Sequence, residues 1–389
     1  MLQTPDLAGL LRNSISGGVN LRDAAFTANV FSTHARAFKM PDHYNRAECA
    51  IRALQKENIF AGIEEPIWNR FGWHTRKGSL AATGLLIDAL YDATRRTGRI
   101  EEVFREECTA NIKRYLDSCY ISNGRFAHDS IVARSVPPAV QNTTAMALYL
   151  MVLILELGQE ADRNGLEGLA QRLEQTLRAL KHGQRNDGFW PYIYPGLRQI
   201  LFDRSRCIRF GSRVLGCRKF FVKNGDRSVY FGDFVHHLLV LQFILKTFEM
   251  RVGLEDIGRP CIEGGWNWVE GMLIEYSRDS IKIDFSHEPR IDSPRYCNFM
   301  ETSSYFLILS LLPGLIRCGF VRKERLEVGE KLMNHVQNCL LQNKHPAIVP
   351  YEASNEEARQ ILPRVGESVA WKGSAMCEFI DFLARTGAN

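Results

Sequence analysis

Two histidines and a tyrosine that lie close together in the chain offer groups that transfer protons. His236 and His237 open a strongly apolar segment, six and seven residues after Tyr230. Histidine changes its charge near neutral pH, and tyrosine, with an unperturbed pKa near 10, is a proton donor at that pH. Successive residues of a helix point about 100° apart, so only one of the two histidines can face a site squarely. We predict general acid–base chemistry with His237 as base, Tyr230 as acid and His236 in reserve. The alternative is a histidine satisfied within the core.

Further polar residues stand in other loops of the chain. One cluster consists of His287, Arg290, Asn298 and Glu301. Another consists of His74, Arg76 and Lys77. Asn142 stands where an Asn-Thr-Thr sequence begins a helix, and its alternative role there is to cap that helix. We predict that these residues bind substrate or take part in catalysis, with His287 as a second reserve for the base.

A strongly basic stretch runs through residues 198–223. It contains eight lysines and arginines and a single aspartate, so its net charge of +7 exceeds the +5 of the whole chain. The planar fork of arginine suits carboxylates and phosphates. We predict that Arg204, Arg206 and Arg209 bind an anionic ligand. A solvated basic face is the alternative, and no recognisable nucleic-acid module accompanies the stretch.

Aromatic residues recur in the same loops and present flat faces on which sugar rings stack. They are Trp73, Trp190, Tyr192, Tyr194, Tyr230, Tyr296 and Trp371, the last followed by Lys372. For any one of them, the alternative is that the ring wedges neighbouring helices together. For the set as a whole, we predict ligand binding.

The composition of the 389 residues is that of an ordinary globular protein. Hydrophobic residues make up 45% and charged residues 24% of the chain, which excludes a disordered or collagen-like protein. The ten cysteines include no C-x-x-C pair, so we predict free thiols in a reducing compartment. The start of the chain lacks the pattern of a secretory signal, and no apolar run is long enough to cross a bilayer. We predict a cytoplasmic protein, or a periplasmic one if an export signal has been removed.

An internal repeat indicates how these residues are positioned. Several amphipathic helices end in a polar turn that is followed by an extended aromatic or apolar stretch. The equivalent turn residues are Asn58, Asn123, Asp187, Asp279 and Lys344, at spacings of 65, 64, 92 and 65 residues. The long third interval indicates one insertion, near residues 197–228, in a regular array.

Between the turns lie helices of another kind, three of which are apolar nearly all round. They are predicted at 79–95, 143–156, 234–248, 302–316 and 373–386. Buried helices that alternate with amphipathic ones indicate two concentric rings. We predict an all-α (α/α)5–6 toroid, an incomplete barrel of helical hairpins in a single domain over 1–389, opened by residues 1–39. An open solenoid, the alternative, usually has a shorter period of about 34–47 residues.

This organisation resembles the α/α-toroid carbohydrate-active proteins: polysaccharide lyases, several glycoside hydrolases and the sugar 2-epimerases. Lanthionine and terpene cyclases share the toroid, but this chain lacks D-x-D-D, D-D-x-x-D and a Cys/Cys/His zinc set. The resemblance extends to the lyases that degrade acidic bacterial capsules, of the capsule polyuronate or Vi-antigen type. The resemblance to toroid lyases implies a catalytic Tyr/His pair that is assisted by Asn and Arg. In this chain it implies that Asn142 and Arg290 neutralise a substrate carboxylate.

The resemblance and the basic stretch together predict a polysaccharide lyase that cleaves an acidic, uronate-containing polysaccharide by β-elimination. The first alternative is a toroid glycoside hydrolase on an acidic or amino sugar, which needs two carboxyl groups about 5–9.5 Å apart. Its candidates are Asp129, Asp187, Asp233, Glu301, Glu352 and Glu367. The second alternative is a non-catalytic glycan-binding protein. The expected partner is the acidic polysaccharide, with no metal, cofactor, nucleic acid or membrane, and the oligomeric state stays open.

Overall fold

The computed structural model describes residues 21–55, 60, 63–69, 72–104, 106–128, 140–157, 163–191, 234–250, 253–284, 294–336 and 374–386. Its helices are α1 (Leu21–Ala37), α2 (Pro41–Gln55), α3 (Leu80–Thr97), α4 (Ile100–Val103), α5 (Glu106–Cys119), α6 (Gln141–Leu157), α7 (Arg163–Gly183), α8 (Phe234–Glu249), α9 (Glu255–Glu270), α10 (Pro294–Arg317), α11 (Leu326–His335) and α12 (374–386). Its strands are β1 (Ile63–Asn69), β2 (Gly72–Ser79), β3 (Tyr120–Ser122), β4 (Arg125–Phe126), β5 (Leu273–Ser277) and β6 (Ser280–Ile283).

Helices that are buried on every side alternate with helices that keep one wet face. In α6 every residue from Gln141 to Ile154 is buried, because its sequence is apolar nearly all round. In α7, by contrast, only a stripe that includes Leu169, Leu173 and Leu177 is buried, at the spacing of one helix face. The inner helices are therefore α1, α3, α6, α8, α10 and α12, and the outer ones are α2, α5, α7, α9 and α11. All five predicted inner helices are confirmed, and α1 adds a sixth.

Adjacent inner helices run in the same direction. Gln242 of α8 donates to Ser310 of α10 over 3.3 Å, and Arg317 of α10 donates to Glu249 of α8 over 2.8 Å. Both pairs are 68 residues apart in the chain, and a constant offset of this kind is found only between parallel helices. Each inner helix is therefore entered from the same end of the ring, which we call the mouth.

The ring closes between the first and the last inner helix. Asn29 of α1 donates to Ser374 of α12 over 2.6 Å, and two turns further along the same helix faces, Arg36 pairs with Asp381. Around the ring, α1 contacts α3, α3 contacts α6, α6 contacts α8 and α8 contacts α10. Arg317 of α10 then pairs with Glu378 of α12. The predicted toroid is confirmed, with a closed inner ring of six helices in the described part of the chain.

Short β-hairpins or, at Asp187, a hairpin-like turn without strands follow three of the outer helices. The turns at Asn123, Asp187 and Asp279 all follow an outer helix, as predicted. At Asn123 and Gly124 the φ angles are +49° and +74°, the left-handed values that an Asn-Gly hairpin turn requires. The predicted turns at Asn58 and Lys344 and the insertion near 197–228 lie outside the described residues.

No helix in the described ranges is both long and apolar enough to cross a membrane. The six cysteines that the structure describes are free thiols, as predicted. Three of them are buried in helices, namely Cys119, Cys261 and Cys377.

Candidate active site

Side chains near the start of the inner helices hold the hairpins in place. The backbone N–H groups of Phe126 and Trp190 lie three residues after their turns and donate to Thr144 Oγ1 and His237 Nδ1, over 3.3 and 3.2 Å. The N–H of Ile283, four residues after its turn, donates to the hydroxyl of Tyr305 over 3.0 Å. Each acceptor lies on the inner helix that follows its hairpin. The same structural device thus recurs in three successive repeats.

His237 is one of these hairpin anchors, which is not the role predicted for it. Its Nε2 lies 3.1 Å from the carbonyl oxygen of Gly265, so this nitrogen carries the proton and donates it, while Nδ1 accepts from Trp190. The imidazole is fully buried and is stacked against Phe189 at 5.3 Å. Burial lowers the pKa of His237 to about 3, although the bond to Gly265 acts in the opposite direction. With both nitrogens occupied and no exposure, His237 is placed to fix the hairpin and not to accept a proton from a substrate.

Trp190 also belongs to the core. Its indole is fully buried, and its Nε1–H donates to the carbonyl oxygen of Leu180 over 2.9 Å. The prediction that Trp190 forms a sugar platform is therefore wrong, and the alternative of an aromatic wedge holds at this position. His236, the reserve base, is half-buried on α8.

Other predicted residues have known backbone positions only. His74 and Arg76 lie on β2, paired with Ile67 and Glu65 of β1, and Lys77 follows them. Asn298 and Glu301 lie in the first two turns of α10. Their side chains are outside the described part of the chain. Outside it entirely are Tyr230, Arg290, His287, Tyr192, Arg204, Arg206, Arg209, Trp371 and Lys372.

Asn142 lies in the first turn of α6 and faces the interior of the ring. It precedes Tyr149 by seven residues, which is two turns along the same helix face, and the hydroxyl of Tyr149 bonds to Asp88 across the ring. The Asn142 side chain is only 3% exposed, and its Oδ1 has no hydrogen-bond partner among the described residues. Buried polar atoms are nearly always paired. Asn142 therefore provides a hydrogen-bonding group at the mouth that the described part of the protein does not use.

The corresponding positions of the neighbouring inner helices carry no carboxyl group. Each lies seven residues before a side chain of the ring interior. They are Ala81, Val235 and Ser303. Asp187, a predicted hydrolase candidate, is exposed in its turn, where it pairs with Arg185 and accepts from the N–H of Phe189. These positions of the inner helices thus carry the amide of Asn142 and the hydroxyl of Ser303 but no carboxyl group.

Deeper in the ring lies a cluster of charged residues that was not predicted from the sequence. The ammonium group of Lys246 on α8 bonds to Asp88 and, over 3.3 Å, to Asp92, both on α3. Asp88 lies about 12 Å along α3 from its first residue, at 1.5 Å per residue. A cavity of about 20 Å³ adjoins the cluster, with space for about one water molecule. Its polar lining includes Asn29, Asp88, Asp92, Gln242, Ser310 and Glu378.

The two aspartates of the cluster differ in acidity. Burial raises the pKa of Asp88, in spite of the nearby Lys246. Burial acts the same way on Asp92, but Lys246, Arg96 and Arg95 outweigh it and lower the pKa of Asp92 to about 2. Carboxyl groups whose pKa values are pushed apart are typical of an acid–base pair. Here the cavity that adjoins the cluster has space for about one water molecule, and the described contacts of the cluster join the inner helices α3 and α8.

One signal in the sequence could have revealed this cluster. Asp88 and Asp92 lie four residues apart in LLIDALYDATRR, on a helix that the sequence predicts to be buried. Buried carboxylates require a positive partner, and Lys246 is the lysine near the end of another predicted inner helix. The partner stands 158 residues from Asp88 in the chain, so the pairing itself depends on the closed ring.

No family model and no curated protein matches this chain. Among solved structures, the chain is similar to an unsaturated glucuronyl hydrolase specific for heparin, with a TM-score of 0.53 and 12% sequence identity. The match covers 96% of this chain and 94% of that protein. The two proteins share the α/α-toroid fold over nearly their whole lengths, which confirms the predicted resemblance to toroid carbohydrate-active enzymes at the level of the fold.

Proposed function

We propose that this protein is an enzyme that cleaves a glycosidic bond at a uronate residue, in a pocket at the mouth of the ring. The observation that carries the proposal is the similarity to an unsaturated glucuronyl hydrolase over 96% of the chain. A partial match would support only a shared repeat, whereas this one includes the ring and its closure.

The electrostatics of the mouth support an acidic substrate. The inner helices run parallel, so their N-terminal ends, each equivalent to about half a positive charge, meet at the mouth. Asn142 adds, in the first turn of α6, an amide oxygen that can accept a hydrogen bond from a sugar hydroxyl group. In the sequence, residues 224–233 separate the basic stretch of residues 198–223 from α8, and we assign its positive charge to the same site. These features favour a carboxylate-bearing sugar over a neutral one.

Hydrolysis is the first candidate for the reaction. It requires two carboxyl groups, one to protonate the leaving oxygen and one to activate water or attack the sugar. The described inner-helix positions at the mouth supply none, so the pair is assigned to the loops that enter the inner helices and to the start of α10. The remaining candidates are Asp129, Asp233, Glu301, Glu352 and Glu367.

β-Elimination is the second candidate, and it is favoured by the described mouth positions of the inner helices, which carry the amide of Asn142 and no carboxyl group. A lyase needs groups that neutralise the uronate carboxylate, a base for the proton on C5 and an acid for the departing O4, but no pair of carboxylates. Asn142 and Arg290 remain proposed for the first task, and Tyr230 for the last. Because His237 anchors a hairpin, the base is assigned to His287 or His236.

The two reactions change ultraviolet absorbance in opposite directions. A lyase acting on a uronate polymer creates a C4–C5 double bond, so absorbance rises. A hydrolase acting on an unsaturated uronyl oligosaccharide releases the unsaturated sugar, which rearranges and loses the double bond, so absorbance falls. We expect the fall. A rise on the polymer supports β-elimination, and binding without any bond cleavage overturns the proposal in favour of a glycan-binding protein.

A further inference from the structure

The hairpin β5–β6 presents an unusually exposed aromatic face. Tyr276 is 57% exposed and Ile274 is 38% exposed. They are two residues apart on β5, and Tyr276 lies at a bulge between the pairs Glu275–Ile281 and Ser277–Ser280. Lys282 stands opposite Ile274 in the register of the hairpin and therefore shares this face. The other face of β6 is buried through Ile281 and Ile283, which fixes the orientation of the hairpin.

A positive charge lies beside the exposed ring. The ammonium nitrogen of Lys282 is 5.4 Å from the centre of the Tyr276 ring. His335 of α11 packs against the same tyrosine edge-to-face at 5.3 Å, and its Nδ1 is 3.0 Å from the hydroxyl of Ser280. These contacts hold Tyr276 and Lys282 in place on the hairpin.

The repeat provides two internal comparisons for this arrangement. Arg172 lies 4.6 Å from the ring centre of Tyr120 and pairs with Asp117. In the next repeat, Arg185 lies 5.7 Å from the ring centre of Phe189 and pairs with Asp187. In both cases a carboxylate of the protein balances the cation that rests on the aromatic ring.

Lys282 differs from both arginines. Within the described ranges it has the aromatic ring but no carboxylate within ion-pair distance. Glu275, the acidic residue of β5, lies 3.9 Å from Lys331, which also pairs with Glu327 over 2.8 Å. The hairpin β5–β6 therefore combines the most exposed of these rings with an unbalanced positive charge.

We propose that Ile274, Tyr276 and Lys282 form an accessory binding site for an acidic sugar residue of a longer substrate chain. The pyranose ring stacks its C–H face on Tyr276 and Ile274, and the carboxylate pairs with Lys282. The hairpin leads from α9 into the mouth end of α10, so a glycan held there continues towards the mouth. The substrate class rests on the proposed function, whereas the aromatic and cationic platform does not.

Direct binding tests this site independently of turnover. The probe is a uronate octasaccharide titrated calorimetrically into wild type, Tyr276→Ala, Lys282→Gln and the double variant, with a neutral glucan of equal length as the control ligand. The control variant is Tyr44→Ala, an exposed tyrosine whose hydroxyl contacts Thr97 at the opposite end of the ring.

We expect the dissociation constant of the octasaccharide to rise about tenfold in the double variant, through loss of stacking and of one charge contact. The effect of Lys282→Gln shrinks at high salt, because the pair is exposed. An unchanged dissociation constant in the double variant overturns the accessory site. Because the readout is binding, it decides this point even if the protein proves to cleave no sugar.

Discussion

Buried titratable side chains tie the stability of this protein to pH. Burial lowers the pKa of His237 to about 3 and that of His34 to about 4, in the latter case with help from His43. Each histidine is therefore neutral in the folded protein and gains a proton more readily when the chain unfolds. The stability that each contributes is fully present above pH 6.5 and is lost as the pH falls towards the lowered value.

Replacement of His237 by glutamine should weaken this pH dependence. A glutamine can still accept from Trp190 and donate to Gly265, but it does not titrate. The free energy of unfolding of the wild type should fall relative to the variant by about 1.4 kcal/mol per pH unit below pH 6.5. Urea unfolding at a series of pH values measures this. His182→Gln, at an exposed histidine, controls for loss of an imidazole. Parallel curves for wild type and His237→Gln contradict a buried, neutral His237.

Lys246 is expected to be the most sensitive single charge in the ring. Lys246→Met leaves Asp88 buried without a counter-charge and Asp92 with only Arg95 and Arg96, which should lower the free energy of unfolding by about 3–5 kcal/mol. Combination with Asp88→Asn and Asp92→Asn should restore most of it. The matched control is Lys331→Met, whose partner Glu327 is exposed, with an expected cost of about 0–1 kcal/mol. Equal losses for the two lysines in urea unfolding would rule out a special role for the buried cluster.

Among the helices and hairpins, the tight turn of β3–β4 depends on a glycine for two reasons. Gly124 has a φ of +74°, and a Cβ atom there would lie 2.4 Å from the carbonyl oxygen of Gln175 on α7. Gly98, at the end of α3, has nearly the same φ of +71° but nothing within 4 Å of its Cβ position. Comparison of substitutions at Gly124 and Gly98 therefore separates the cost of the left-handed backbone conformation from the cost of a steric clash.

Alanine at these two glycines should therefore have unequal effects. Gly98→Ala should lower the free energy of unfolding by only about 1 kcal/mol, the cost of the left-handed backbone conformation. Gly124→Ala must in addition push the hairpin away from α7, so we expect a loss of about 3 kcal/mol or more in the free energy of unfolding. Thermal and urea unfolding of both variants measure the difference. Losses that agree within error contradict the close packing of this turn on α7.

The helices and turns were predictable because their signals are local. An apolar stretch such as the one around Leu148, and an Asn-Gly pair at Asn123, each specify an element within a few residues. The strands of β3–β4 and β5–β6, two to five residues long, were anticipated only as extended stretches. The role of His237 was not predictable, because it depends on a hairpin 47 residues away.

The closed ring as a whole depends on contacts between the two ends of the chain. Arg96 of α3, with its side chain almost fully buried, pairs with Asp381 of α12, which also holds Arg36 of α1. Phe379 of α12 packs closely against Gly329 on α11. The helix α12 thus joins elements that lie as much as 345 residues apart.

Removal of α12 should open the ring. A chain that ends at residue 373 exposes apolar surface on α1 and α10 and leaves Arg96 without Asp381, so we expect it to lose most of the 5–15 kcal/mol typical of folded domains. Urea unfolding followed by circular dichroism, with binding of a hydrophobic dye, measures this. Removal of only residues 387–389 is the control. If the truncated chain unfolds at the same urea concentration as the control, closure of the ring is not needed for stability.

Cleavage at the mouth is tested by measuring kcat/KM for wild type, Asn142→Ala and Asn111→Ala, of which the last is altered on the outer helix α5. The substrates are the uronate polymer and the unsaturated uronyl oligosaccharide, and turnover is followed by absorbance. Because Asn142 Oδ1 has no partner within the described residues, its removal should not lower the urea midpoint. We expect wild type and Asn111→Ala to act on one of the substrates and Asn142→Ala to lose about tenfold in kcat/KM. A wild type that cleaves neither substrate, or an Asn142→Ala variant as active as wild type, contradicts cleavage of uronate sugars at the mouth of this ring.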